Sequence, residues 1–260
     1  MSSSQQNKLN RLLQEIPRHS VVTSRCLEEL DISPQLARKY VQNGWLIKIG
    51  SGAFARVGDN PDWRGGLYAI QFQLGMSVHV GAVSALELQG RAHFLPVGQS
   101  NTVVLLSDKA ENLPAWFKQY PWKVKISHSS LSLFNRLPEQ ASTPLVDGDF
   151  SILVSAPERA VLEEMYRVHN NNDIEYSLLL MEGLATLRPK LVQTLLEHCV
   201  SVKAKRLFLW AAETVGHSWF DEMDLGEVEL GTGKRQLYKG GKMSSKYLIT
   251  VPPQEELPNV

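Results

Sequence analysis

Amide and cationic side chains recur along one face of a short helical pattern near the start of the chain. Between Ser33 and Gly44 they occur at intervals of three, four and seven residues, which places them together on a helix. Amides hydrogen-bond to base edges and cations bind phosphates, and the major groove of DNA offers both partners. The pattern therefore predicts a helix that reads DNA through Gln35, Arg38, Lys39 and Gln42.

Two short apolar runs follow this helix, with a glycine-rich turn between them. Residues 45–49 and 53–57 have strand composition, and Gly50-Ser51-Gly52 separates them. A hairpin in this position is the wing of a winged helix, and its polar residues contact the DNA backbone beside the groove. We expect such contacts from Lys48, Ser51 and Arg56; Arg25 and Ser33 complete the predicted DNA-binding set.

The preceding segments supply the elements that would position the recognition helix. Residues 9–16 have amphipathic spacing, and Thr23 or Ser24 can cap a second helix. Ser33-Pro34 offers a hydroxyl N-cap followed by proline at the first helical position, and Asn43-Gly44 is typical of a helix end. Helix, helix, short turn, helix and ribbon is the order of a winged helix-turn-helix. The alternative is a small helical domain with a solvated polar face.

Charge is distributed unevenly along the chain. The whole sequence has 27 basic and 27 acidic residues, whereas residues 1–60 contain eight basic and five acidic ones. A basic first segment on a mildly acidic remainder suits a protein that binds nucleic acid at one end. Because the excess is small, binding should be of modest strength and sensitive to salt.

The remainder predicts mixed α and β structure without regular βαβ alternation. Residues 58–64 have the composition of a linker, so we predict a winged helix-turn-helix domain over 1–60 and a mixed α/β domain over 61–260, an α+β fold. Ser155 and Glu158 match a capping box. The expected helices are 63–74, 114–120, 155–168, 174–183, 189–200 and 203–215, and the expected strands are 102–106, 122–126, 150–154, 226–230, 236–239 and 247–251.

Two basic groups in the second domain are candidates for contact with an anionic partner. The first group lies at a predicted helix start, where the helix dipole disfavours cations, and the second is spaced across a predicted hairpin. Solvated faces are the alternative interpretation of both groups. The candidate residues are Lys203, Lys205, Arg206, Lys234, Arg235, Lys239 and Lys242.

Several enzyme-like motifs lack the context that their chemistry requires. Gly231-Thr-Gly-Lys234 resembles a phosphate-binding loop but lies between two predicted strands, and Lys242-Met-Ser-Ser-Lys246 lacks a matching nucleotide-binding sheet. The seven histidines show no metal-ligand spacing, and Asp147-Gly148-Asp149 fits a turn. We therefore predict no catalytic residues, no metal and no cofactor.

Cysteine usage and hydropathy bear on the compartment. Cys26 and Cys199 are far apart in apolar helical patterns, which favours free thiols over a disulfide. The start of the chain is polar and unlike a signal peptide, and no apolar run is long enough to span a membrane. The expectation is a cytoplasmic protein without a membrane partner.

Several longer segments resemble the AbiEi family of antitoxins and transcriptional regulators, found in bacterial abortive-infection toxin–antitoxin systems that act in phage defence. They are the winged-helix pattern, the stretch HVGAVSALELQG at His79–Gly90, SAPERAVLEEM at Ser155–Met165, and the long block from Val202 to Pro252. The resemblance covers nearly the whole chain, and the last block is its most specific part.

The resemblance implies two activities and two partners. The winged helix would bind repeats in the double-stranded DNA of its own operon promoter and repress transcription. The second domain would counteract a nucleotidyltransferase-type toxin, in the type IV manner, without a stable complex. The alternatives from other classes are a DNA-targeting nuclease and a ligand-sensing winged-helix regulator.

Overall fold

The computed structural model describes residues 3–92 and 101–253, with side chains from residue 6 onward. The fold is α+β. The α-helices are α1 Ser3–Glu15, α2 Ser24–Glu29, α3 Pro34–Gln42, α4 Trp63–Tyr68, α5 Ala82–Leu88, α6 Ala115–Gln119, α7 Pro157–Arg167, α8 Asn171–Glu182, α9 Pro189–His198 and α10 Val202–Val215. The strands are β1 Val22–Thr23, β2 Leu46–Gly50, β3 Ala53–Arg56, β4 Val78–Val80, β5 Thr102–Ser107, β6 Lys125–Ser130, β7 Ser142–Asp147, β8 Phe150–Ser155, β9 Lys242–Ser244 and β10 Ile249–Val251.

The chain divides into two compact units. The first contains residues 1–79, 100–131 and 144–153, and the second contains residues 80–99, 132–143 and 154–260. The predicted winged helix therefore lies in a unit that extends beyond residue 60. Whether residues 1–60 form a domain that folds by itself stays a prediction.

The first sixty residues have the element order of a winged helix. Helices α1, α2 and α3 enclose an apolar core with Leu12, Leu27 and Tyr40 at its centre, each at most 1% exposed. Strand β3 lies between β1 and β2 in a small antiparallel sheet. Burial of these side chains, at roughly 25 cal/mol per Å² of apolar surface, is what holds three short helices together.

The rest of the first unit packs against this winged helix. The side chain of Gln73 accepts from the Thr23 N–H at 2.8 Å and donates to the Val21 carbonyl at 2.8 Å. The Val21 N–H donates to the Gly65 carbonyl at 3.2 Å. Main-chain polar groups of Val21 and of Thr23 in β1 are thus satisfied by residues that follow the predicted linker.

A five-stranded sheet has the order β6-β5-β4-β8-β7. Strands β5 and β6 are parallel over six residue pairs, from Thr102 opposite Lys125 to Ser107 opposite Ser130, and β4 and β8 are parallel too. Strand β6 begins three residues later than expected, at Lys125. The predicted helix 63–74 exists, but from Ala69 to Gln73 it is π-helical, and the Leu74 N–H bonds to the carbonyl of Ala69, five residues back.

In the second unit, α7 packs against α5, α8, α9 and α10. The predicted capping box is wrong, because Ser155 still belongs to β8 and the helix begins at Pro157 with Ala156 as its N-cap. The predicted strands 226–230 and 236–239 are wrong as well. The described strands near the end are β9 and β10, which pair antiparallel with Lys242 opposite Val251.

Candidate nucleic-acid interface

Helix α3 has the end signals that its sequence predicts. The Ser33 hydroxyl accepts a hydrogen bond from the Leu36 N–H at 3.3 Å, and Pro34 occupies the first turn. After the C-cap Asn43, Gly44 has a φ of +71°, a conformation that glycine adopts without strain. The helix is nine residues long, and a capping residue defines each of its ends.

The two faces of α3 differ sharply in exposure. Ala37 and Tyr40 are buried, 4% and 0% exposed, and they attach the helix to the core. The opposite face is exposed and consists of the predicted reading residues Gln35, Arg38, Lys39 and Gln42. None of these four side chains makes a hydrogen bond or an ion pair with another described residue, so their amides and charges are available to an external partner.

The wing places polar side chains beside α3. Strands β2 and β3 pair with Lys48 opposite Phe54, and the register shifts between Lys48 and Gly50. The Ser24 N–H, at the start of α2, donates to the carbonyl of Gly52 at 2.8 Å and so ties the turn to the helical layer. Lys48 and Ser51 are both exposed.

A cleft of about 430 Å³ lies between α3 and the wing. Its rim includes Arg38 and Gln42 from the helix and Lys48 and Ser51 from the wing, and no acidic residue lines it among the described residues. A concave surface that combines cations, an amide and a hydroxyl matches the mixture of phosphate and base-edge groups on a DNA groove.

Three other predicted DNA-contacting residues are used within the protein. Arg56 is half-buried and its guanidinium donates to the Ile16 carbonyl. Arg25 pairs with Glu29 at 3.3 Å, one helical turn away on α2. The Ser33 hydroxyl caps α3. The exposed members of the predicted set that make no such contact among the described residues are Gln35, Arg38, Lys39, Gln42, Lys48 and Ser51.

The first basic group, Lys203, Lys205 and Arg206, does not form the exposed surface that the sequence suggested. Lys205 and Arg206 are buried, 5% and 1% exposed. The guanidinium of Arg206 donates to the carbonyls of Leu230, Gly231 and Gly233 at 2.8, 3.0 and 2.6 Å. These bonds explain why residues 226–234 are not a strand, since their carbonyls bind a side chain and Gly231 and Gly233 have φ of +63° and +79°.

The side chain of Lys203 likewise makes its hydrogen bonds within the protein. Its ammonium donates to the carbonyls of Tyr166 and Val168 at 2.5 and 2.7 Å, at the end of α7. Cations near a helix C-terminus are favourable because they offset the exposed carbonyl groups. The prediction that Lys203 faces an anionic partner therefore loses its support, because its ammonium binds neutral carbonyl groups of the same chain.

The second basic group consists of Lys234, Arg235, Lys239 and Lys242, and all four residues are exposed. The main chain of Lys239 is fixed by a hydrogen bond, in which its N–H donates to the Asn171 amide oxygen at 2.8 Å. The neighbouring Tyr238 is buried and its hydroxyl donates to Glu175 at 2.7 Å. The side chains left toward solvent are those of Lys234, Arg235, Lys239 and Lys242.

A buried polar network at the start of α7 was not predicted. The Glu163 carboxylate accepts from the Ala82 N–H, the Ser155 hydroxyl and Arg159, at 2.9, 2.9 and 2.7 Å. Glu158 pairs with Arg188 at 2.8 Å. The sequence pattern singled out Ser155 and Glu158 as a capping box, but it could not indicate their network partners, because Ala82 and Arg188 are distant along the chain.

Two features of the described residues bear on other functional classes. No group of three or more His, Cys, Asp or Glu side chains is arranged to hold a metal ion in the part of the chain that the structure describes. Within the same residues, no helix is long and apolar enough to cross a lipid bilayer. Cys26 and Cys199 are both free thiols.

Comparison with known proteins agrees with the winged-helix geometry. A family model described as "Transcriptional regulator, AbiEi antitoxin N-terminal domain" matches residues 5–97, and one described as "Transcriptional regulator, AbiEi antitoxin, Type IV TA system" matches residues 100–252. The crystal structure of the RV2827C protein from Mycobacterium tuberculosis has a TM-score of 0.55 at 14% identity, over 95% of this chain and 91% of that chain. That likeness concerns the fold alone. Among curated proteins, no match was found.

Proposed function

Because the chain belongs to the AbiEi antitoxin family of transcriptional regulators of type IV toxin–antitoxin systems, we propose that it represses its own operon by binding repeats in the promoter. The observation that carries this proposal is the basic cleft between α3 and the wing, which is lined by Arg38, Lys48 and Ser51. In this arrangement α3 enters the major groove and the wing contacts the adjacent backbone. The site of action is the cytoplasm, where the operator lies.

The charges at and beside the cleft support this assignment, since Arg38 and Lys48 line it and Lys39 is the next residue on α3. Arg38, Lys39 and Lys48 are exposed, and none of them has an ion-pair partner among the described residues. Each cation that neutralises a phosphate releases bound counterions, and this contributes about 0.9 to the slope of log K against log salt. Three such contacts give a slope near 3, which is a modest but measurable salt dependence. Gln35 and Gln42 are the side chains with amide groups suited to reading adenine edges.

The test is fluorescence anisotropy with the DNA immediately upstream of this gene and a scrambled duplex of equal length. Titrations between 50 and 200 mM salt separate the electrostatic contribution from the sequence-specific one. We expect selective binding to the upstream DNA with a clear salt slope. Equal, weak binding to both duplexes would overturn autorepression and leave the winged helix as a non-specific or protein-contacting module.

We propose further that the chain counteracts a nucleotidyltransferase-type toxin without forming a stable complex with it. The surface assigned to this activity is the exposed basic group Lys234, Arg235, Lys239 and Lys242. Its support is that the main chain beneath it is held by Arg206, Asn171 and the β9–β10 pair, so the four cations are displayed from an ordered segment.

Antitoxicity is tested by co-expression with the adjacent toxin gene, using growth as the readout. We expect protection by the wild type and its loss when Lys234, Arg235, Lys239 and Lys242 are all changed to Glu. Gel filtration of the mixed proteins should give separate peaks. Protection that survives the charge reversal would remove this surface from the mechanism, and a co-eluting complex would contradict the absence of stable binding. We assign the chain no catalytic residues.

A further inference from the structure

A pocket of about 450 Å³ lies within the first unit, between α6 and β6. Its volume falls in the range of small-molecule sites, roughly 300 to 1,000 Å³. Trp122, Val124, Ile126 and His128 lie at every second position along β6 and the segment before it; they line the pocket, and all four are partly exposed. The opposite wall comes from the α6 segment.

The apolar part of this pocket is aromatic. Phe117 and Trp122 have ring centroids 5.2 Å apart, and Tyr120 and Trp122 have centroids 4.5 Å apart. The Trp122 indole is fixed by its N–H, which donates to the Phe117 carbonyl at 2.7 Å. Phe117 is fully buried and supports the partly exposed rings of Tyr120 and Trp122 from behind. These two rings form a rigid wall on which a planar ligand can stack at little entropic cost.

His128 contributes a hydrogen-bond acceptor to the pocket. Burial lowers the pKa of its imidazole, so the ring is neutral near pH 7. The Ser107 hydroxyl donates to the Lys109 carbonyl at 2.9 Å and lies 3.2 Å from both His128 Nε2 and the Ser130 hydroxyl. Because the Ser107 proton is used by Lys109, we assign the ring proton of His128 to Nε2, which then donates to Ser107. The nitrogen left for a ligand is Nδ1, which accepts in this tautomer.

Lys118 supplies the charge. Its side chain is exposed at the end of α6, and no acidic residue lines the pocket among the described residues. The pocket therefore combines an aromatic wall, one acceptor and one cation. These three features complement a planar ring that carries both a hydrogen-bond donor and an anionic group.

We propose that this pocket binds a small planar aromatic acid with an N–H or O–H donor, and that the bound acid alters DNA binding. Helix α6 connects the two sites. Trp116 lies against Gly50 at the end of wing strand β2, where an added Cβ would come within 2.6 Å of Trp116 Cβ. The next residue, Phe117, forms the pocket wall and packs on Gly66 of α4, where a Cβ would come within 2.8 Å of its ring.

Such close contacts leave no room for α6 to shift alone. A ligand that moves Phe117 or Lys118 must move Trp116, and hence the wing, because tightly packed elements transmit displacement. This second step depends on the proposed DNA-binding function, whereas binding of the acid does not. The two steps are therefore measured separately.

The first experiment titrates the full-length protein with indole-3-acetate and with 4-hydroxybenzoate, following Trp fluorescence for the second and ligand-observed NMR for both. For ligands of this size we expect a Kd of about 1 mM or tighter. Tryptophol, which lacks the carboxylate, and 1-methylindole-3-acetate, which lacks the N–H, should each bind at least fivefold more weakly. Lys118→Ala should weaken binding of indole-3-acetate by a similar factor, and the matched control Lys125→Ala, an exposed lysine that does not line the pocket, should not.

The outcomes separate the parts of the proposal. Absence of binding by both acids up to 10 mM, or binding that Lys118→Ala leaves unchanged, overturns the site. If the acids bind but operator affinity stays within twofold at saturating ligand, the coupling through α6 is wrong. If the protein fails to bind its operator at all, the proposed repression fails, and the ligand titration still decides the pocket.

Discussion

Gly50 of wing strand β2 lies so close to Trp116 of α6 that a Cβ on Gly50 would come within 2.6 Å of Trp116 Cβ. The same unit satisfies main-chain polar groups of Val21 and Thr23 through Gln73 and Gly65. The wing is therefore packed on residues far beyond the predicted linker. Removing residues 1–60 would uncover this interface, so point variants are better suited than truncation to separate repression from antitoxicity.

Changing Gly50 to Ala tests this contact directly. The added methyl group must displace Trp116 or β2, and overpacking of this kind costs about 1 to 3 kcal/mol in unfolding free energy. Urea denaturation measures the loss, and Ser51→Ala in the exposed turn is the control, with an effect below about 0.5 kcal/mol. A Gly50→Ala protein as stable as the parent would mean that α6 and the wing separate easily.

The double change Arg38→Ala and Lys39→Ala tests the recognition helix. Both side chains are exposed and have no ion-pair partner within residues 3–92 and 101–253, so we expect operator affinity to fall by roughly tenfold or more and the salt slope to fall by about 2. The melting temperature should stay unchanged, because neither side chain is part of the core. Growth protection against the toxin should also persist.

The matched control is Lys123→Ala with Lys125→Ala, two exposed lysines of the same unit outside the cleft. It should leave the salt slope nearly as it is in the wild type. Wild-type affinity in the Arg38/Lys39 variant would show that α3 does not read the DNA.

Arg206 tests whether a buried cation orders the basic surface near the end of the chain. Arg206→Ala leaves the carbonyls of Leu230, Gly231 and Gly233 without their donor, which we expect to cost about 3 kcal/mol. Arg206→Lys should recover little, because an ammonium cannot reproduce the guanidinium fork. Arg235→Ala, an exposed arginine nearby, should change stability by less than about 0.5 kcal/mol.

Proteolysis gives a second measurement of the same effect. Cleavage within residues 226–248 should be faster in Arg206→Ala than in Arg235→Ala. Equal cleavage and equal unfolding free energies in the two variants would rule out a structural role for the buried guanidinium.

The pair of Glu158 and Arg188 predicts a pH-dependent contribution to stability. Burial by itself raises the pKa of Glu158, whose side chain is 2% exposed, but hydrogen bonds from Arg188 outweigh it and hold that pKa below its usual value. A depressed carboxyl pKa stabilises the fold above the unfolded value, about 4.3, and the contribution is lost as the pH falls through the folded value.

The variant Arg188→Ala should therefore unfold more easily than the wild type at pH 7, by about 2 kcal/mol, since it strands a buried carboxylate. The difference should shrink below about pH 4. Glu158→Gln combined with Arg188→Ala should recover much of the loss at pH 7. A difference between wild type and Arg188→Ala that is constant from pH 7 to pH 3 would contradict the assignment.

Local signals in the sequence were sufficient to predict the elements of the winged helix. Ser33 and Pro34 begin α3, Thr23 caps α2, and the glycine turn separates β2 from β3, as predicted. Each of these signals acts through hydrogen bonds or dihedral preferences within a few residues, so they are readable without knowledge of the fold. Amphipathic spacing likewise predicted α8, α9 and α10 to within a few residues.

Long-range contacts decided what the sequence left open or suggested wrongly. Nothing local distinguishes a cation that faces solvent from one that binds carbonyls of a remote segment, so Lys203 and Arg206 resembled a surface. Ser155 and Glu158 matched a capping box, yet strand pairing keeps Ser155 in β8 and Arg188 binds Glu158. The sequence by itself determined the elements of the winged helix and which face of α3 is polar. The tertiary structure alone decided which charges remain free, because burial and partner choice depend on residues that are distant along the chain.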